Sequence, residues 1–417
     1  MTDRIAVHAD ALVRRRAAWS LERAFYTDPE IHALDLEIVH ARHWLFAGHV
    51  AELPEPGSWF LFELGAESLI ITRDGDGAIH ALFNVCRHRG SRICLEPTGT
   101  ARRLVCPYHQ WVFAADGALL GARDMPEGFD KAAFGLHRAR VAVCEGLIFV
   151  RFAEEGPSFA PIAADLTRHL APHRLAEARI AHRTRHVVRA NWKLIAENFR
   201  ECYHCPGTHP EYCATVFGGA VKKSPEAERR RLDFLAESLA RWRGQGLSTE
   251  TVGFKPDTWH HVGRGILAEG WRSWTLDGEP AAPLMGDLPD RGTGLLGAVM
   301  YPSFWLEGGC DYLTTTRVLP VSATSSSVEI TWYVAPGAVA GRDYDVGRLT
   351  EVWGNTAEQD MTLAANNQAG VDSSRYEPGP YANEEAHDLE HFLAWYQRQW
   401  TDVAAQRRGA GECRARG

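Results

Sequence analysis

The sequence lacks any run of about 18 apolar residues, so no membrane-spanning helix is expected. Basic residues near the N-terminus precede neither an apolar core nor a cleavage signature. We therefore expect a cytoplasmic protein that carries no secretion signal. Long runs of like charge are also missing, and the formal net charge of 417 residues is -8, which makes nucleic acid an unexpected partner.

Nine cysteines are an odd number for a long chain without a secretion signal. A disulfide framework is therefore not expected, and free or metal-bound thiols are. The pair Cys202 and Cys205 is expected to pack in the interior, since no further thiols accompany it.

Internal repeats are absent as well, and a chain of this length exceeds what one core usually supports, so we expect two domains.

The pattern of segments changes along the chain. Short extended segments such as WFLFEL, SLIITRD and GLIFVRF, separated by Gly and Asp turns, predict a small all-β domain at 45–155. Helical and extended segments then alternate, which predicts an α+β domain at 156–405. Within it, helices are expected at NWKLIAENFRECYH and before Gly370. The tail 406–417 is expected to be disordered.

Two Cys/His pairs lie in the first of these domains. They are Cys86, His88, Cys106 and His109. Thiolate and imidazole together suit zinc or the iron of an iron–sulfur cluster. A structural zinc site is the simpler interpretation. In each pair, however, His closely follows Cys, and Gly90 and Pro107 shape the two loops alike, which favours a [2Fe–2S] cluster with two Cys on one iron and two His on the other.

The motifs CRHRG and CPYHQW, with their arginine and aromatic neighbours, resemble the Rieske signature. The resemblance implies an iron–sulfur cluster held by these four residues. A Rieske centre moves one electron, so the second half of the chain decides whether the protein is more than an electron carrier.

A second candidate site lies in NWKLIAENFRECYHCPGTHPEY. Glu201 and His204 are three residues apart and would share one face of a helix. His209 follows a Pro-Gly pair at which a helix cannot continue normally, so both imidazoles could converge on one metal. With a carboxylate from Glu201 or Asp360, they would form the two-His, one-carboxylate set of non-haem iron(II) oxygenases.

A wider resemblance favours one of these alternatives. That stretch and EQDMTLAANNQAGVDSSRYEPGPY resemble the catalytic domain of Rieske non-haem iron oxygenase α subunits, the aromatic-ring-hydroxylating dioxygenase family. The resemblance implies iron ligation by His204, His209 and Asp360. It also implies that Glu201 is a catalytic bridge from the iron site to His109 of the neighbouring subunit. Many family members have Asp there, so Glu201 differs in length but not in charge.

The same resemblance implies the rest of the architecture and the partners. We expect a helix-grip-like catalytic domain with a central antiparallel sheet, and a helical segment at 1–44 that packs on it. A head-to-tail homotrimer is expected, with one [2Fe–2S] cluster and one mononuclear Fe(II) per subunit. No GxGxxG opens a βαβ unit, so electrons are expected from a separate NAD(P)H-dependent reductase.

Substrate class is the least determined property. The stretches ENFRECYHCPGTHPEY and AGRDYDVGRLTEVW resemble the family branch that includes glycine betaine, stachydrine and carnitine oxygenases. This implies N-demethylation of a quaternary ammonium compound with O2. Such a cation requires an aromatic cage, for which the candidates are Trp259, Trp271, Trp274, Tyr301, Phe304, Trp305 and Tyr312. The alternatives are hydroxylation of an aromatic acid or secondary metabolite and, in other classes, an electron carrier or a zinc-stabilised binding module.

Overall fold

The structure is a computed structural model that describes residues 4–216, 224–255, 257–382 and 386–415. The chain divides into two compact units. Residues 41–159 form one unit, and the segments before and after them together form the other. None of the described helices combines the length and the apolar character that crossing a bilayer requires.

The unit 41–159 consists of ten short strands in three antiparallel sheets, with the orders β1-β10-β9, β4-β3-β2-β5 and β6-β7-β8. The strands are β1 Leu45–His49, β2 Ser58–Leu64, β3 Glu67–Arg73, β4 Ile79–Phe83, β5 Thr98–Thr100, β6 Leu104–Val105, β7 Val112–Phe113, β8 Leu119–Gly121, β9 Arg140–Cys144 and β10 Leu147–Arg151. Short 3-10 helices lie at Val50–Glu52 and Lys131–Phe134. The predicted all-β character is confirmed.

The hairpin between β9 and β10 illustrates how this sequence favours tight antiparallel pairing. Cys144 faces Leu147 across the pair, so only Glu145 and Gly146 form the loop. Both have positive φ, 49° and 83°. Two positive φ values are what a two-residue turn needs to match the right-handed twist of its strands.

The larger unit begins with helices, and the chain then alternates between the strands of one sheet and further helices. Its helices are α1 Arg4–Val13, α2 Ala24–Thr27, α3 Pro29–Asp35, α4 Ala160–Leu170, α5 Trp192–Asn198, α6 Cys205–Thr208, α7 Pro210–Thr215, α8 Pro225–Gly244, α9 Val346–Val371 and α10 Ala386–Ala415. A π-helical turn, Leu36–His40, follows α3, and 3-10 helices lie at Ala171–His173, Leu175–Glu177 and Cys202–His204.

The sheet of this unit has six antiparallel strands in the order β11-β16-β15-β14-β13-β12. They are β11 Arg179–Val188, β12 His260–Gly265, β13 Leu295–Met300, β14 Phe304–Gly308, β15 Tyr312–Ser322 and β16 Ser325–Val334. Helices α5 and α9 contact each other, and α5 also contacts β15. Trp353 of α9 donates its indole N–H to Thr316 of β15 at 2.9 Å, so α9 lies against the same face. This arrangement confirms the predicted α+β fold with a central antiparallel sheet.

The C-terminal tail differs from its prediction. Residues 406–415 are not disordered in the structure but continue α10. The preceding part of α10 is anchored by the buried side chains Trp400 and Ala404, and α10 contacts α1. Arg407 pairs with Glu37, 2.6 Å apart. An anchored helix extends at low cost because each further residue adds one hydrogen bond without a new nucleus.

A buried polar cluster joins the N-terminal helices to the rest of the larger unit. Asp35, at the end of α3, accepts from Lys193 Nζ at 2.5 Å, from Trp192 Nε1 at 3.2 Å and from the Tyr396 hydroxyl at 2.6 Å. The side chains of Asp35 and Lys193 are both fully buried. A buried charge that loses its partner is strongly destabilising, so Asp35 links α3, α5 and α10.

We predict that Asp35→Ala lowers the free energy of unfolding by about 3–5 kcal/mol, because it leaves the Lys193 ammonium buried and unpaired. The matched control is Glu37→Ala, which removes an exposed carboxylate two residues away and should cost at most about 1 kcal/mol. Chemical denaturation of both variants measures the difference. Equal effects of the two substitutions would contradict the role given to Asp35.

Candidate metal centres

Two loops of the smaller unit carry the Cys/His pairs, one between β4 and β5 and one between β6 and β7. The loops are built alike. In each loop, the backbone N–H of the Cys donates to the carbonyl of the residue five positions later, at 2.9 Å for Cys86 and 2.8 Å for Cys106. The backbone N–H of the residue four positions later donates to the carbonyl of the Cys. That residue has positive φ, 78° at Gly90 and 61° at Gln110. The left-handed turn lets each loop fold back on its cysteine.

The four predicted cluster ligands lie together at the tips of these loops. The Cys86 and Cys106 thiols are buried and hydrogen-bonded to each other, and burial raises the pKa of Cys86. The His88 and His109 rings are 4.6 Å apart. The buried Nδ1 of His88 has no hydrogen-bond partner among the described residues. Two thiols and two imidazoles, one with an unpartnered ring nitrogen, fit a [2Fe–2S] cluster with mixed ligation.

Residues behind the loops hold their shape. The Asn84 side chain accepts from the N–H groups of Ile93 (2.8 Å) and Cys94 (3.0 Å) and donates to the Cys94 carbonyl at 2.7 Å. The Trp111 ring stacks on the His88 ring, with centroids 4.9 Å apart and planes within 10°. His109, by contrast, is exposed, so one ligand ring of the site faces outward.

The helix predicted over Asn191–His204 is interrupted, and this part of the prediction is wrong. Helix α5 ends at Asn198, and Glu201 has non-helical backbone angles (φ −116°, ψ 76°) before the 3-10 helix Cys202–His204. Next to this interruption, the Phe199 ring lies 4.7 Å from that of Trp305. The guanidinium of the next residue, Arg200, lies over Tyr301 and Trp305, 4.7 Å and 5.6 Å from the ring centroids.

This interruption places the predicted iron ligands. His204 ends the 3-10 helix, and His209 lies between the short helices α6 and α7. The Nε2 atom of His204 is 3.0 Å from Oδ1 of Asp360 on α9, and that of His209 is 3.9 Å from the same oxygen. The two imidazole rings are nearly perpendicular, at 87°. Two imidazoles and one carboxylate converge, which fits the ligand set of a mononuclear non-haem iron.

Cysteine sulfur also lies near this site. Cys205 Sγ is 3.9 Å from His204 Nε2, and the ligand atoms of Cys205, His204 and His209 all lie within 4.8 Å of one another. However, Cys205 forms a disulfide with Cys202, whereas the sequence predicts that both thiols pack in the interior. Because a disulfide sulfur is not a thiolate, we take the third ligand to be the Asp360 carboxylate.

Glu201 is half-buried next to His204 rather than a member of the ligand set. Its Oε1 accepts from the Ala382 N–H at 2.9 Å, and its backbone carbonyl hydrogen-bonds His204. A hydrogen bond of that kind fixes the orientation of a ligand imidazole. Four residues earlier, burial raises the pKa of Glu197 to about 7, and Tyr26 donates to Glu197 at 2.9 Å.

An open cavity adjoins Asp360, between α5, α9 and the sheet. Its walls are mostly apolar: Ile195 from α5 and Phe199 just after it, Trp305, Val318 and Val328 from the sheet, and Trp353, Ala357, Met361 and Ala364 from α9. Asn198, Thr316 and Asp360 are its polar members. A small organic molecule in this cavity would lie beside the candidate iron site.

The aromatic residues proposed for a substrate cage separate into groups. Among the described residues, Trp305 is the one of the seven that lines this cavity. Trp274 and Tyr312 stack on each other next to it, with centroids 6.2 Å apart. Tyr301 instead packs on Phe254, 5.0 Å away, outside the cavity. Trp353 also lines the cavity, but the sequence did not indicate it as a cage residue. No local pattern could have done so, because the other cavity residues lie far from it in the chain.

Comparisons with known proteins agree with this geometry. Residues 43–137 match the Rieske [2Fe-2S] domain family, and residues 175–402 match the ring-hydroxylating α subunit (catalytic domain) family. The chain is 37% identical over 390 residues to the glycine betaine monooxygenase oxygenase subunit of Chromohalobacter salexigens, covering 93% of this chain and 87% of that protein. The protein of the same description from Pseudomonas aeruginosa is 36% identical over 393 residues, with 94% and 91% covered.

Solved structures share the fold. The quaternary ammonium Rieske monooxygenase CntA in complex with L-carnitine aligns with a TM-score of 0.68 at 21% identity, covering 94% of this chain and 98% of that chain. Naphthalene 1,2-dioxygenase with indole bound aligns with a TM-score of 0.61 at 20% identity, covering 92% of each chain. The family predicted from the sequence is confirmed, whereas the individual ligand residues remain predictions.

We predict that His204→Ala loses the mononuclear iron and keeps the cluster, because the two ligand sets share no residue. Metal analysis should give three irons per chain for the reconstituted wild type and two for the variant, with an unchanged visible spectrum of the cluster. Replacement of the exposed His387 by Ala is the control and should retain three irons. Three irons in His204→Ala would remove His204 from the ligand set.

Proposed function

Since the chain belongs to the family of Rieske non-haem iron oxygenase α subunits, we propose that it N-demethylates a quaternary ammonium compound such as a betaine. As a member of that family it is a terminal oxygenase component, with a [2Fe–2S] cluster and a mononuclear iron. The observation that carries the substrate proposal is the near full-length similarity to glycine betaine monooxygenase oxygenase subunits, across both domains. The aromatic walls of the cavity beside Asp360 support it.

Within this proposal, Cys86, His88, Cys106 and His109 hold the cluster, and His204, His209 and Asp360 hold the iron. When bound, these groups supply single electrons and activate O2 for insertion into a C–H bond. The balance for each N-methyl group is that the quaternary ammonium ion, O2, two electrons and two protons give the N-hydroxymethyl ammonium ion and water. The hydroxymethyl product then breaks its C–N bond and gives the tertiary amine, formaldehyde and a proton.

The cavity residues orient the substrate in this scheme. Trp305 and Trp353 offer aromatic faces to a cationic head group, and Phe199 closes the wall toward α5. Apolar walls also exclude water from the methyl group that reacts. Asn198 Nδ2 lies 3.4 Å from His204 Nε2, so its amide sits at the border between substrate and ligand set.

Electron supply is the second part of the proposal. The exposed position of His109 suits an exit from the cluster. We place Glu201 as the bridge from His109 of the partner subunit to His204, within a head-to-tail homotrimer that closes into a ring. A separate NAD(P)H-dependent reductase would deliver the electrons in the cytoplasm.

Hydroxylation of an aromatic acid or a secondary metabolite is the second candidate. The observation in its favour is the composition of the cavity, whose described lining residues are mostly apolar and aromatic. An aromatic ring could stack on Trp305 or Trp353 as well as a cation could. The two candidates differ in product, since ring hydroxylation releases no formaldehyde.

We predict that the purified oxygenase, with a surrogate reductase and NADH, releases one formaldehyde per O2 consumed with at least one of glycine betaine, choline, carnitine and stachydrine. The screen includes benzoate and salicylate as aromatic acids. Oxygen uptake and formaldehyde are measured together, and boiled enzyme is the control. Coupled uptake with an aromatic acid alone, without formaldehyde, would replace the proposal by the second candidate.

We predict that Glu201→Ala lowers turnover by about 100-fold, because it removes the carboxylate proposed to bridge to His109 of the partner subunit and keeps the backbone carbonyl that holds His204. Iron content and the cluster spectrum should stay at wild-type values, and Glu201→Asp should restore part of the activity, since the carboxylate is kept. Stopped-flow oxidation of the reduced cluster measures the step directly. Wild-type oxidation rates in Glu201→Ala would exclude Glu201 from the electron route.

A further inference from the structure

Glu307 is a carboxylate near the candidate substrate cavity that none of the roles above uses. It lies on β14, two residues after Trp305. Side chains two apart on a strand emerge on the same face, so Glu307 shares the face of Trp305, which lines the cavity. Its cross-strand partner is Thr314, two residues before the Thr316 that faces Trp305.

The Glu307 carboxylate has no counter-charge in the described part of the chain. Its Oε2 atom is buried and has no hydrogen-bond partner there. Burial, together with the negative charge of Asp360, raises the pKa of Glu307 to about 8. Leaving a carboxylate unpaired in a protein interior costs free energy. A residue of this kind therefore indicates a ligand that supplies the missing positive charge.

Aromatic rings surround the same position. Burial raises the pKa of the Tyr212 hydroxyl, and the negative charge of Glu307 raises it further, so the hydroxyl lies within the electrostatic reach of Glu307. The Tyr212 ring lies 6.4 Å from both Trp274 and Trp353, and 5.9 Å from the ring of His209. The aromatic group thus extends from the candidate iron ligand His209 to the carboxylate.

These neighbours match the chemistry of one type of ligand. A quaternary ammonium group has no N–H, so hydrogen bonds cannot hold it, and charge and aromatic faces must. A neutral aromatic substrate would gain nothing from a carboxylate. An anionic head group at this position would be repelled by both Glu307 and Asp360.

Resting on the proposed function, we propose that Glu307 determines specificity for a cationic head group, its carboxylate facing a trimethylammonium group held between Tyr212, Trp305 and Trp353. The remainder of such a substrate would extend along the apolar part of the cavity. Its N-methyl carbon would then lie on the side of His209 and Asp360. Glu307 thereby selects the charge of the substrate and ligates no metal.

The test compares two ligands that differ in whether the head group is cationic or neutral, on the anaerobic, iron-loaded protein. Glycine betaine and 3,3-dimethylbutanoate have the same shape and differ in the charge of the head group. We predict that the wild type binds glycine betaine at least about tenfold more tightly, and that Glu307→Gln brings the ratio of the two Kd values close to one by weakening the cation alone. Isothermal titration measures both ligands.

Three controls separate this role from a structural one. Glu351→Gln removes an exposed carboxylate from α9 and should keep the wild-type ratio. Glu307→Asp should keep part of the preference, since the charge remains. Glu307→Gln should retain three irons per chain and an equal or higher Tm, because it replaces a buried carboxyl that has no hydrogen-bond partner among the described residues at Oε2 by an amide of the same shape.

The outcomes distinguish the two proposals. A wild-type protein that prefers neither glycine betaine nor any other quaternary ammonium compound of the screen to the isostere with a neutral head group would overturn the proposed substrate class, and the role of Glu307 with it. A wild-type preference that persists undiminished in Glu307→Gln would overturn the role of Glu307 alone. A lowered Tm with loss of binding for both ligands would show that Glu307 is structural.

Discussion

The approach of His204 to Asp360 is the contact on which the candidate active site depends. It joins the segment after α5 to the middle of α9, 3.0 Å apart, and it is possible only because α5 ends at Asn198. A helix continued through Glu201 would carry His204 along the α5 axis instead of toward α9. Phe199 and Arg200 both pack on Trp305 at the point where the chain leaves α5 and turns toward this candidate ligand.

The difference between local structure and packing between distant residues explains what could be predicted from the sequence. The cluster loops are local structures, in which a Cys, a His and a turn residue lie within a few positions, so CRHRG and CPYHQW indicate them directly. Strands β15 and β16 and helix α9 follow equally from periodicity and turn residues. His204, His209 and Asp360 follow from the family resemblance, since spacing alone left Glu201 and Asp360 as alternatives.

Other features depend on residues distant in the chain and could not be predicted. At the end of α5, Phe199 and Arg200 pack on Trp305 and Tyr301, and the helical tail continues a helix that contacts α1. Glu307 looks like an ordinary polar residue in YPSFWLEGGCDYL. Its isolation is visible only in the folded chain, where its Oε2 atom is buried without a hydrogen-bond partner among the described residues. The disulfide between Cys202 and Cys205 likewise depends on the 3-10 helix that brings the two sulfurs together.

An Fe K-edge anomalous diffraction experiment on crystals of the iron-loaded protein with glycine betaine tests the central claim most directly. The account predicts anomalous density for two irons among Cys86, His88, Cys106 and His109. It also predicts one iron among His204, His209 and Asp360, and a trimethylammonium group beside that iron in the cavity. Iron at the Cys/His loops alone, or a head group bound away from Trp305 and Trp353, would contradict it.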